Sequence, residues 1–544
     1  MNTNFFAKTF SAVFVASCIL SATAVGANAA VYEKKSVSTE LNENPAFDMT
    51  DSFEDVPPIS YSSLDLGFTP PVRRQLYNDC WAYASMTAFE SKLLHDGFTF
   101  ESYSPQQINQ WATTRPDGTG WQRKIINDAY AETSLGYFIS WQNIEHGKKN
   151  PQLKPENGYS FTDFGATSIR FLDHSDKDSI KKAIMENGSV YSAYSQSTEY
   201  ENLGRISYYC PEGMPLAQGH AITIVGWDDD YSKHLFKPVN GKIPENNGAW
   251  LVQNSWGKYN LLGGFFWISY EDAYLLSNTF APAYTFESYE VVDENKKLYQ
   301  NEIYGATYEF TYLDDKEMTY LNMFNFSDGY NELDSVIFET TYAVGADYEI
   351  YYVPVENNTP VSDESRWTLL KTDVVPFDGY ICADIESYEL PVGYGAIAVR
   401  IDNTINSYRA SIGVDEWLQK SDGSKVFIGN SDYNQSFIYL DGKMVDLKKW
   451  YEEVNSDPIG GTFVIKAVTN KTEAKVTILG DVNLDTITDV RDVTYMQQYL
   501  AGYFDITEVQ KLNFDVDKNG TLDVNDVTYM QMMRAGYDIF GEDV

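Results

Sequence analysis

Residues 72–86 of the chain read VRRQLYNDCWAYASM, and no glycine or proline occurs between residues 81 and 94. Apolar side chains recur there at helical spacing, at Ala82, Met86, Phe89 and Leu93. The spacing predicts a helix with Asn78 or Asp79 at its N-cap. Cys80 then lies in the first turn, where the positive end of the helix dipole favours a thiolate. A single cysteine is more often a small buried side chain, so its partners must decide its role.

Two later segments contain the groups that would make this cysteine a nucleophile. Residues 218–227 read QGHAITIVGW, and residues 250–257 read WLVQNSWG. Their apolar, β-branched runs predict buried strands, with His220 at the start of the first and Asn254 in a polar turn after the second. A thiol at a helix start, a histidine that takes its proton and an amide oxygen that orients the ring are the groups needed for acyl transfer.

The three motifs, in this order, resemble the papain family of cysteine peptidases over roughly residues 61–280. The resemblance implies that Cys80 is the nucleophile and that His220 is the general base and acid. It also implies that Asn254 orients the histidine. Gln75 would line the oxyanion hole, together with the backbone N–H of Cys80.

The sequence departs from the family pattern at two positions beside the nucleophile. Gln75 precedes Cys80 by five residues, where the family usually has six. Asp79 stands directly before the nucleophile, where a carboxylate opposes thiolate formation unless it is engaged in capping. A catalytically inactive, peptidase-like binding protein therefore stands as the alternative hypothesis.

Length and charge limit the remaining possibilities. The chain has 544 residues, which predicts two to four domains. Its 40 basic and 78 acidic residues give a net charge of −38, which makes nucleic acid and anionic membrane surfaces poor partners. Hydrophobic residues make up 43% of the chain, so it is able to bury substantial cores.

The N-terminus is typical of a secretory signal. Residues 1–29 contain one lysine, an apolar run and the small-residue sequence ANA, which predicts a cleaved signal peptide. An uncleaved N-terminal anchor is the alternative, although the apolar run is short for a spanning helix. Residues 30–60 are polar and predict a lead-in or short pro-segment. Three cysteines would remain in the secreted chain, so at least one has no partner within it.

Residues 283–475 show short alternating apolar runs separated by Gly, Asn and Asp clusters, which predicts a β-sandwich. Cys382 is the one cysteine in this region, and no histidine occurs there, so catalysis is not expected. The arrangement resembles the lectin-like domain that follows the catalytic domain in some bacterial papain-family peptidases. The resemblance implies a carbohydrate or surface ligand, while a purely structural role for the aromatic strands is the alternative.

The C-terminal region contains two copies of one motif, 34 residues apart. Oxygen-bearing side chains occupy loop positions 1, 3, 5, 9 and 12 in both copies, in the pattern of an EF-hand-like calcium loop. The first loop predicts Ca²⁺ ligands at Asp481, Asn483, Asp485, Asp489 and Asp492, with the Ile487 backbone carbonyl at position 7. The second predicts them at Asp515, Asp517, Asn519, Asp523 and Asp526, with the Thr521 carbonyl at position 7.

Tandem calcium loops at the end of a secreted enzyme resemble a type I dockerin, over roughly residues 476–544. The resemblance implies two bound Ca²⁺ ions and a cohesin module of a cellulosome scaffold as partner. Contacts with cohesin would lie at loop positions 10 and 11, here Val490-Arg491 and Val524-Asn525.

The predicted fold class is α+β: a papain-like two-lobed domain with a helical lobe and a β-barrel lobe, then a β-sandwich and a small α-helical dockerin. The predicted boundaries are 1–29, 30–60, 61–282, 283–475 and 476–544. The predicted function is that of a secreted cysteine endopeptidase that needs no cofactor for catalysis. The dockerin would attach it to a scaffold at or near the cell surface.

Overall fold

A computed structural model describes much of the chain. The described residues are 56–101, 104–146, 159–160, 163–259, 263–277, 279–280, 283–313, 315–419, 424–429, 431–454, 460–472, 478–485, 487–504, 506 and 508–536. The predicted signal peptide and most of the predicted lead-in lie outside them. Among the described helices, none has the length and apolar character needed to cross a membrane.

A helical lobe opens the described chain. Its helices are α1 (Cys80–His95), α2 (Gln106–Trp111), α3 (Ala131–Ile139) and α4 (Gln142–His146). Every residue of α1 from Cys80 to Leu93 is buried, because the helix lies between α3 on one side and the β lobe on the other. A helix buried on all sides needs small and apolar residues around its whole circumference, which its alanines and aromatic residues provide.

The β lobe follows, with α5 (Lys177–Asn187) packed against its sheet. The strands of these two lobes are β1 (Ser60–Ser62), β2 (Phe100–Glu101), β3 (Gly120–Trp121), β4 (Tyr159–Ser160), β5 (Phe164–Leu172), β6 (Val190–Gln196), β7 (Glu201–Asn202), β8 (Ser207–Tyr208), β9 (Gln218–Asp228), β10 (Ala249–Gln253), β11 (Phe265–Ser269) and β12 (Ala283–Val291). The central order is β5-β12-β6-β9-β10-β11. Strands β9 and β10 are antiparallel neighbours, which places His220 and Asn254 at the same end of the sheet.

Two facing sheets form the middle of the chain. Their strands are β13 (Lys296–Tyr299), β14 (Tyr308–Phe310), β15 (Glu317–Asn325), β16 (Glu332–Thr340), β17 (Asp347–Glu356), β18 (Thr359–Pro360), β19 (Thr368–Val374), β20 (Gly379–Glu389), β21 (Tyr394–Asp402), β22 (Ile412–Val414), β23 (Leu418–Gln419), β24 (Lys425–Ile428), β25 (Ser436–Leu440), β26 (Lys443–Asp446) and β27 (Ile465–Asn470), followed in space by helix α6 (Leu447–Val454). One sheet has the order β18-β17-β21-β15-β25-β26, and the other contains β13-β27-β16-β20. Phe338, Ile350 and Val399 pack between them in one buried core.

The sandwich shares a sheet with the β lobe. Strand β20 pairs with β5, so that Gly379 lies opposite Arg170, and thirteen described strands form one continuous sheet. A Cβ at Gly379 would lie 2.2 Å from the Ile169 carbonyl oxygen, so only glycine allows this close approach. Strand β12, which begins one residue after the predicted boundary at 282, pairs with β5 and β6. The predicted boundary stays a prediction, but the two regions form a joined structure.

A buried ion pair also links the two regions. Lys466 and Glu302 are fully buried and form a salt bridge. The Lys466 ammonium also donates to Ser140 Oγ (3.1 Å) in the helical lobe and to Gln300 Oε1 (2.8 Å). Separation of the two regions would leave charges without partners, so this pair opposes it.

The C-terminal module contains α7 (Val490–Leu500), α8 (Glu508–Phe514) and α9 (Val524–Arg534). A small core that includes Val482, Met496, Phe514 and Met530 holds them together. The Tyr495 hydroxyl donates to the Ser327 carbonyl (3.0 Å), which places the module against the sandwich. The α+β class, with a β-rich region after two lobes, agrees with the predicted architecture. Among the described residues, all three cysteines are free thiols, at positions 80, 210 and 382.

Candidate functional site

Cys80 is the first residue of α1 and lies where the helix meets strand β9. Its side chain is 7% exposed. The backbone N–H of Ala221 donates to Cys80 Sγ at 3.4 Å. Because Ala221 follows His220 directly, this contact brings the predicted nucleophile and the predicted base to the same point.

The imidazole of His220 is held by Asn254 and two aromatic rings. His220 Nε2 lies 2.8 Å from Asn254 Oδ1, which also accepts from the Ser255 N–H at 2.7 Å. Since this amide oxygen only accepts, Nε2 carries the proton and Nδ1 is left as the acceptor. The ring stacks on Trp256 with centroids 4.8 Å apart, and Tyr194 meets it edge-on at 5.8 Å. The histidine is thus fixed in the tautomer that can accept a thiol proton.

Gln75 joins this arrangement through Ser255. The Ser255 hydroxyl donates to Gln75 Oε1 at 2.6 Å, and the Gln75 backbone N–H donates to the Ser255 carbonyl at 2.7 Å. The side-chain amide of Gln75 donates to the Tyr77 carbonyl at 2.8 Å. An oxyanion role would require this N–H to turn from Tyr77 towards the substrate, so the structure leaves that assignment as a prediction.

Asp79 occupies the N-cap position of α1, but its side chain makes no capping hydrogen bond. Its carboxylate accepts instead from the side-chain amides of Gln106 and Asn109, the latter at 3.0 Å, and from the Tyr77 N–H at 3.3 Å. The side chain is fully buried. Amide donors therefore compensate the carboxylate that the sequence placed next to the nucleophile, and helix capping does not.

The electrostatics of the site favour a neutral thiol and a neutral imidazole before substrate binds. Burial, followed by the charges of Asp128 and Asp79, raises the pKa of Cys80 to about 12, although the N–H groups of Ala221 and Trp81 lower it. Burial lowers the pKa of His220 to about 4, although the Asn254 hydrogen bond opposes this. Proton transfer from sulfur to nitrogen is therefore expected to accompany attack on the substrate.

Sequence reasoning missed Asp128. It lies in the segment between β3 and α3, where its carboxylate accepts from the Ala129 N–H at 2.9 Å. Desolvation raises its pKa to about 6. No motif or spacing marks this residue, because only the tertiary structure brings its segment close to the thiol.

The first calcium loop contains all of its predicted ligands. Asp492 is fully buried, and its carboxylate accepts from three backbone N–H groups of the loop, those of residues 482, 483 and 489, at 2.8–3.0 Å. Asp489 and Asp492 form a reciprocal capping box at the start of α7. Arg491 forms ion pairs of 2.9 Å with Asp485 and Asp489. The Ile487 N–H donates to Asp485 Oδ1 at 2.9 Å, which turns the chain at position 7.

The second loop repeats this conformation and fits a hard cation. Asp515, Asp517 and Asp526 place carboxylate oxygens within 4.8 Å of one another. Asp515 Oδ1 is buried without a hydrogen-bond partner, as expected of an oxygen that waits for a cation. The Thr521 N–H donates to Asn519 Oδ1 at 2.7 Å.

Two further features show that the loops are equivalent. Position 4 has left-handed backbone in both, with φ of 61° at Leu484 and 59° at Lys518. Asp523 caps α9 in the second loop as position 9 caps α7 in the first. The predicted partner-contact positions are exposed, with Val490 at 70% and Val524 at 66%.

Comparison with known proteins agrees with these features. Residues 69–281 match the family model described as papain family cysteine protease, and residues 479–533 match that of the dockerin type I domain. Among solved structures, the chain is 34% identical to the clostridial cysteine protease Cwp84 after propeptide cleavage, with a TM-score of 0.64, covering 77% of this chain and 100% of that one. A structure of the cysteine protease and lectin-like domains of Cwp84, a surface layer associated protein of Clostridium difficile, gives the same identity and TM-score over 91% of its length.

Two curated relatives match the peptidase region alone. Ananain from Ananas comosus is 26% identical over 211 residues, and cathepsin O from Mus musculus is 24% identical over 205 residues. These matches cover 38% and 37% of this chain. They span little more than half the length of each relative, 55% and 59% respectively.

Proposed function

Because the chain belongs to the papain family of cysteine proteases, we propose that it is a cysteine endopeptidase that hydrolyses peptide bonds at Cys80, His220 and Asn254. The observation that carries this proposal is the hydrogen bond from His220 Nε2 to Asn254 Oδ1 at 2.8 Å, next to a strand whose N–H contacts Cys80 Sγ. Nucleophile, base and orienting amide then stand in the order that acyl transfer needs.

The reaction follows from this order. His220 Nδ1 takes the thiol proton as Cys80 Sγ attacks the peptide carbonyl, and the backbone N–H of Cys80, at the start of α1, faces the developing oxyanion. The imidazolium then gives the proton to the leaving amine as the C–N bond breaks. Water, activated by His220, hydrolyses the thioester and restores the thiol. Gln75 would add a second oxyanion donor after releasing the Tyr77 carbonyl.

A cysteine replacement tests the proposal directly. Cys80→Ala should abolish cleavage of casein and labelling by an epoxysuccinyl reagent of the E-64 type. Cys382→Ala is the matched control, because Cys382 is a free thiol in the sandwich, and it should leave both unchanged. Casein cleavage that survives in Cys80→Ala would refute the assignment.

The two carboxylates near Cys80 favour one alternative, a peptidase-like protein that binds without catalysis. Asp79 and Asp128 both oppose thiolate formation. In that case the unmodified chain would neither turn over peptide nor react with the epoxide, while it would still bind its partners. The same labelling assay separates the two hypotheses.

We further propose that the C-terminal module is a calcium-dependent dockerin that binds a cohesin module of a cellulosome scaffold. Dockerin type I domains typically bind calcium, and the converging carboxylates of Asp515, Asp517 and Asp526 support a site of this kind. Calcium would fix the loops and with them the exposed positions Val490 and Val524. Chelation by EDTA should release cohesin and calcium should restore binding, whereas magnesium at the same concentration should not. Cohesin binding that is unchanged in EDTA would contradict the proposal.

The dockerin match and the similarity to a surface-layer-associated protease support an extracellular or cell-surface location. Secretion through residues 1–29 and attachment to a scaffold are the specific form that we propose. The similarity to a structure with a lectin-like domain supports a ligand for the β-sandwich, and that ligand stays a prediction here.

A further inference from the structure

An open cleft lies on the sandwich, outside the peptidase site. It has a volume of about 610 Å³ and is lined by residues 297–301, 323–325 and 432–435, with Asn358 and Tyr394. Strand β15 ends at the cleft, β21 begins there, and the turn between β17 and β18 forms another wall. The size is that of sites that enclose a ligand of several rings. We call it the sandwich cleft.

Two tyrosine rings face solvent at this cleft. Tyr394 is 54% exposed and Tyr433 is 49% exposed. The Tyr433 hydroxyl donates to both carboxylate oxygens of Glu452, at 2.9 and 2.8 Å, which fixes the ring from one edge. Tyr394 is held in the β-sheet opposite Asn325. Rings fixed in this way offer flat apolar faces to a ligand at little cost in side-chain entropy.

Side-chain amides form much of the remaining lining. Asn301 Nδ2 donates to the carbonyls of Met323 (3.1 Å) and Gln435 (3.2 Å), so this amide joins two walls of the cleft. Gln435 Oε1 accepts from the Asp432 N–H at 3.0 Å. Asn358 also lines the cleft, in a turn with left-handed backbone at φ 59°. Each amide has both a donor and an acceptor group, which suits hydroxyl groups.

Charge is nearly compensated within the cleft. The Lys297 ammonium pairs with Asp328 and lies 4.3 Å from the centre of the Tyr299 ring. Asp432 is the one carboxylate among the lining residues, all of which the structure describes. Hydrolysis of a glycosidic bond ordinarily uses two carboxyl groups, so the composition favours binding of a neutral ligand over its cleavage.

We propose that the sandwich cleft binds a neutral, extended oligosaccharide, with pyranose C–H faces packed on Tyr394 and Tyr433 and hydroxyl groups bonded by the amides. This function goes beyond the peptidase and the cohesin-docking functions and does not depend on either. It would hold the catalytic domain close to protein that is associated with a glycan.

Calorimetry on the full chain tests the proposal, with Cys80→Ala as background to prevent self-cleavage. The probes are cellohexaose, xylohexaose, mannohexaose and chitohexaose, each at up to about 5 mM. At least one should bind, and Tyr433→Ala or Tyr394→Ala should weaken it about tenfold or more. Tyr342→Ala is the matched control, because Tyr342 is 59% exposed and stacks on Tyr408 away from the cleft, and it should bind as the parent does.

Failure of all four sugars to bind would overturn the proposal, as would an equal loss in Tyr342→Ala. A Tyr433→Ala chain with Cys80 intact should cleave a short fluorogenic peptide at the parental rate. If it binds no sugar and instead shows a raised KM for casein alone, the cleft is a polypeptide site and the proposal is wrong. Peptidase activity is measured separately, so its absence would not be mistaken for failure of the cleft.

Discussion

Replacement of Asn254 by alanine tests the arrangement of the active site most sharply. The side chain accepts the hydrogen bond of His220 Nε2 at 2.8 Å, and the two residues are only 4% and 6% exposed. Water therefore cannot easily replace the lost acceptor. A buried donor left without a partner costs about 1–3 kcal/mol, and more of that range applies when the donor is charged.

The charge on His220 develops in the transition state, so most of this cost falls there. Since 1.36 kcal/mol corresponds to a tenfold change in rate, kcat/KM should fall by about 5-fold to about 150-fold. The Asn254 hydrogen bond raises the pKa of His220, so its loss should move the acid limb of the pH–rate profile to lower pH. A residue with a purely structural role would not move that limb.

The assay is steady-state hydrolysis of a fluorogenic peptide between pH 4 and 9, together with thermal unfolding. Asn331→Ala is the matched control, because Asn331 is also buried and donates to the Phe326 carbonyl at 2.6 Å in the sandwich. It should lose stability but keep kcat/KM. The reasoning is refuted if a folded Asn254→Ala keeps kcat/KM within about threefold of the parent, or if Asn331→Ala loses as much.

Three further predictions concern charge. Asp128→Asn removes a carboxylate that disfavours the thiolate, so the pH midpoint for alkylation of Cys80 by iodoacetamide should fall; an unchanged midpoint would exclude electrostatic coupling between them. Lys466→Met leaves Glu302 buried without its cation and should lower the free energy of unfolding in urea by about 3–5 kcal/mol, with partial recovery on adding Glu302→Gln. A loss under about 1 kcal/mol would show that water reaches the pair. Asp526→Asn removes the position-12 carboxylate and should weaken calcium binding at least tenfold in a titration of helix content, and equal affinity would count against the loop assignment.

Shared features of the two domains bear on how the protein behaves as a unit. Strands β5 and β20 continue one sheet across the predicted boundary, and Lys466 bonds to Ser140 of the helical lobe. Separation would break a sheet edge and expose a buried charge, so we expect the two regions to unfold together.

Much of the active site could be predicted from short segments. The helix that starts at Cys80, the strand that carries His220 and the turn that carries Asn254 each depend on apolar spacing within about ten residues, which a sequence displays directly. The electrostatics could not be predicted in this way. Asp79 was expected to cap the helix, yet Asn109 and Gln106 engage it, and those amides come from another helix.

The sequence by itself determined the order of lobes, sandwich and calcium module, because helix periodicity, strand alternation and a 34-residue repeat are local patterns. Only the tertiary structure decided that β20 joins β5, that Asp128 lies near the thiol, and that Tyr394 and Tyr433 share a cleft. These relations join residues far apart in the chain, whose contact depends on how whole sheets and loops pack. No spacing within one segment encodes that packing.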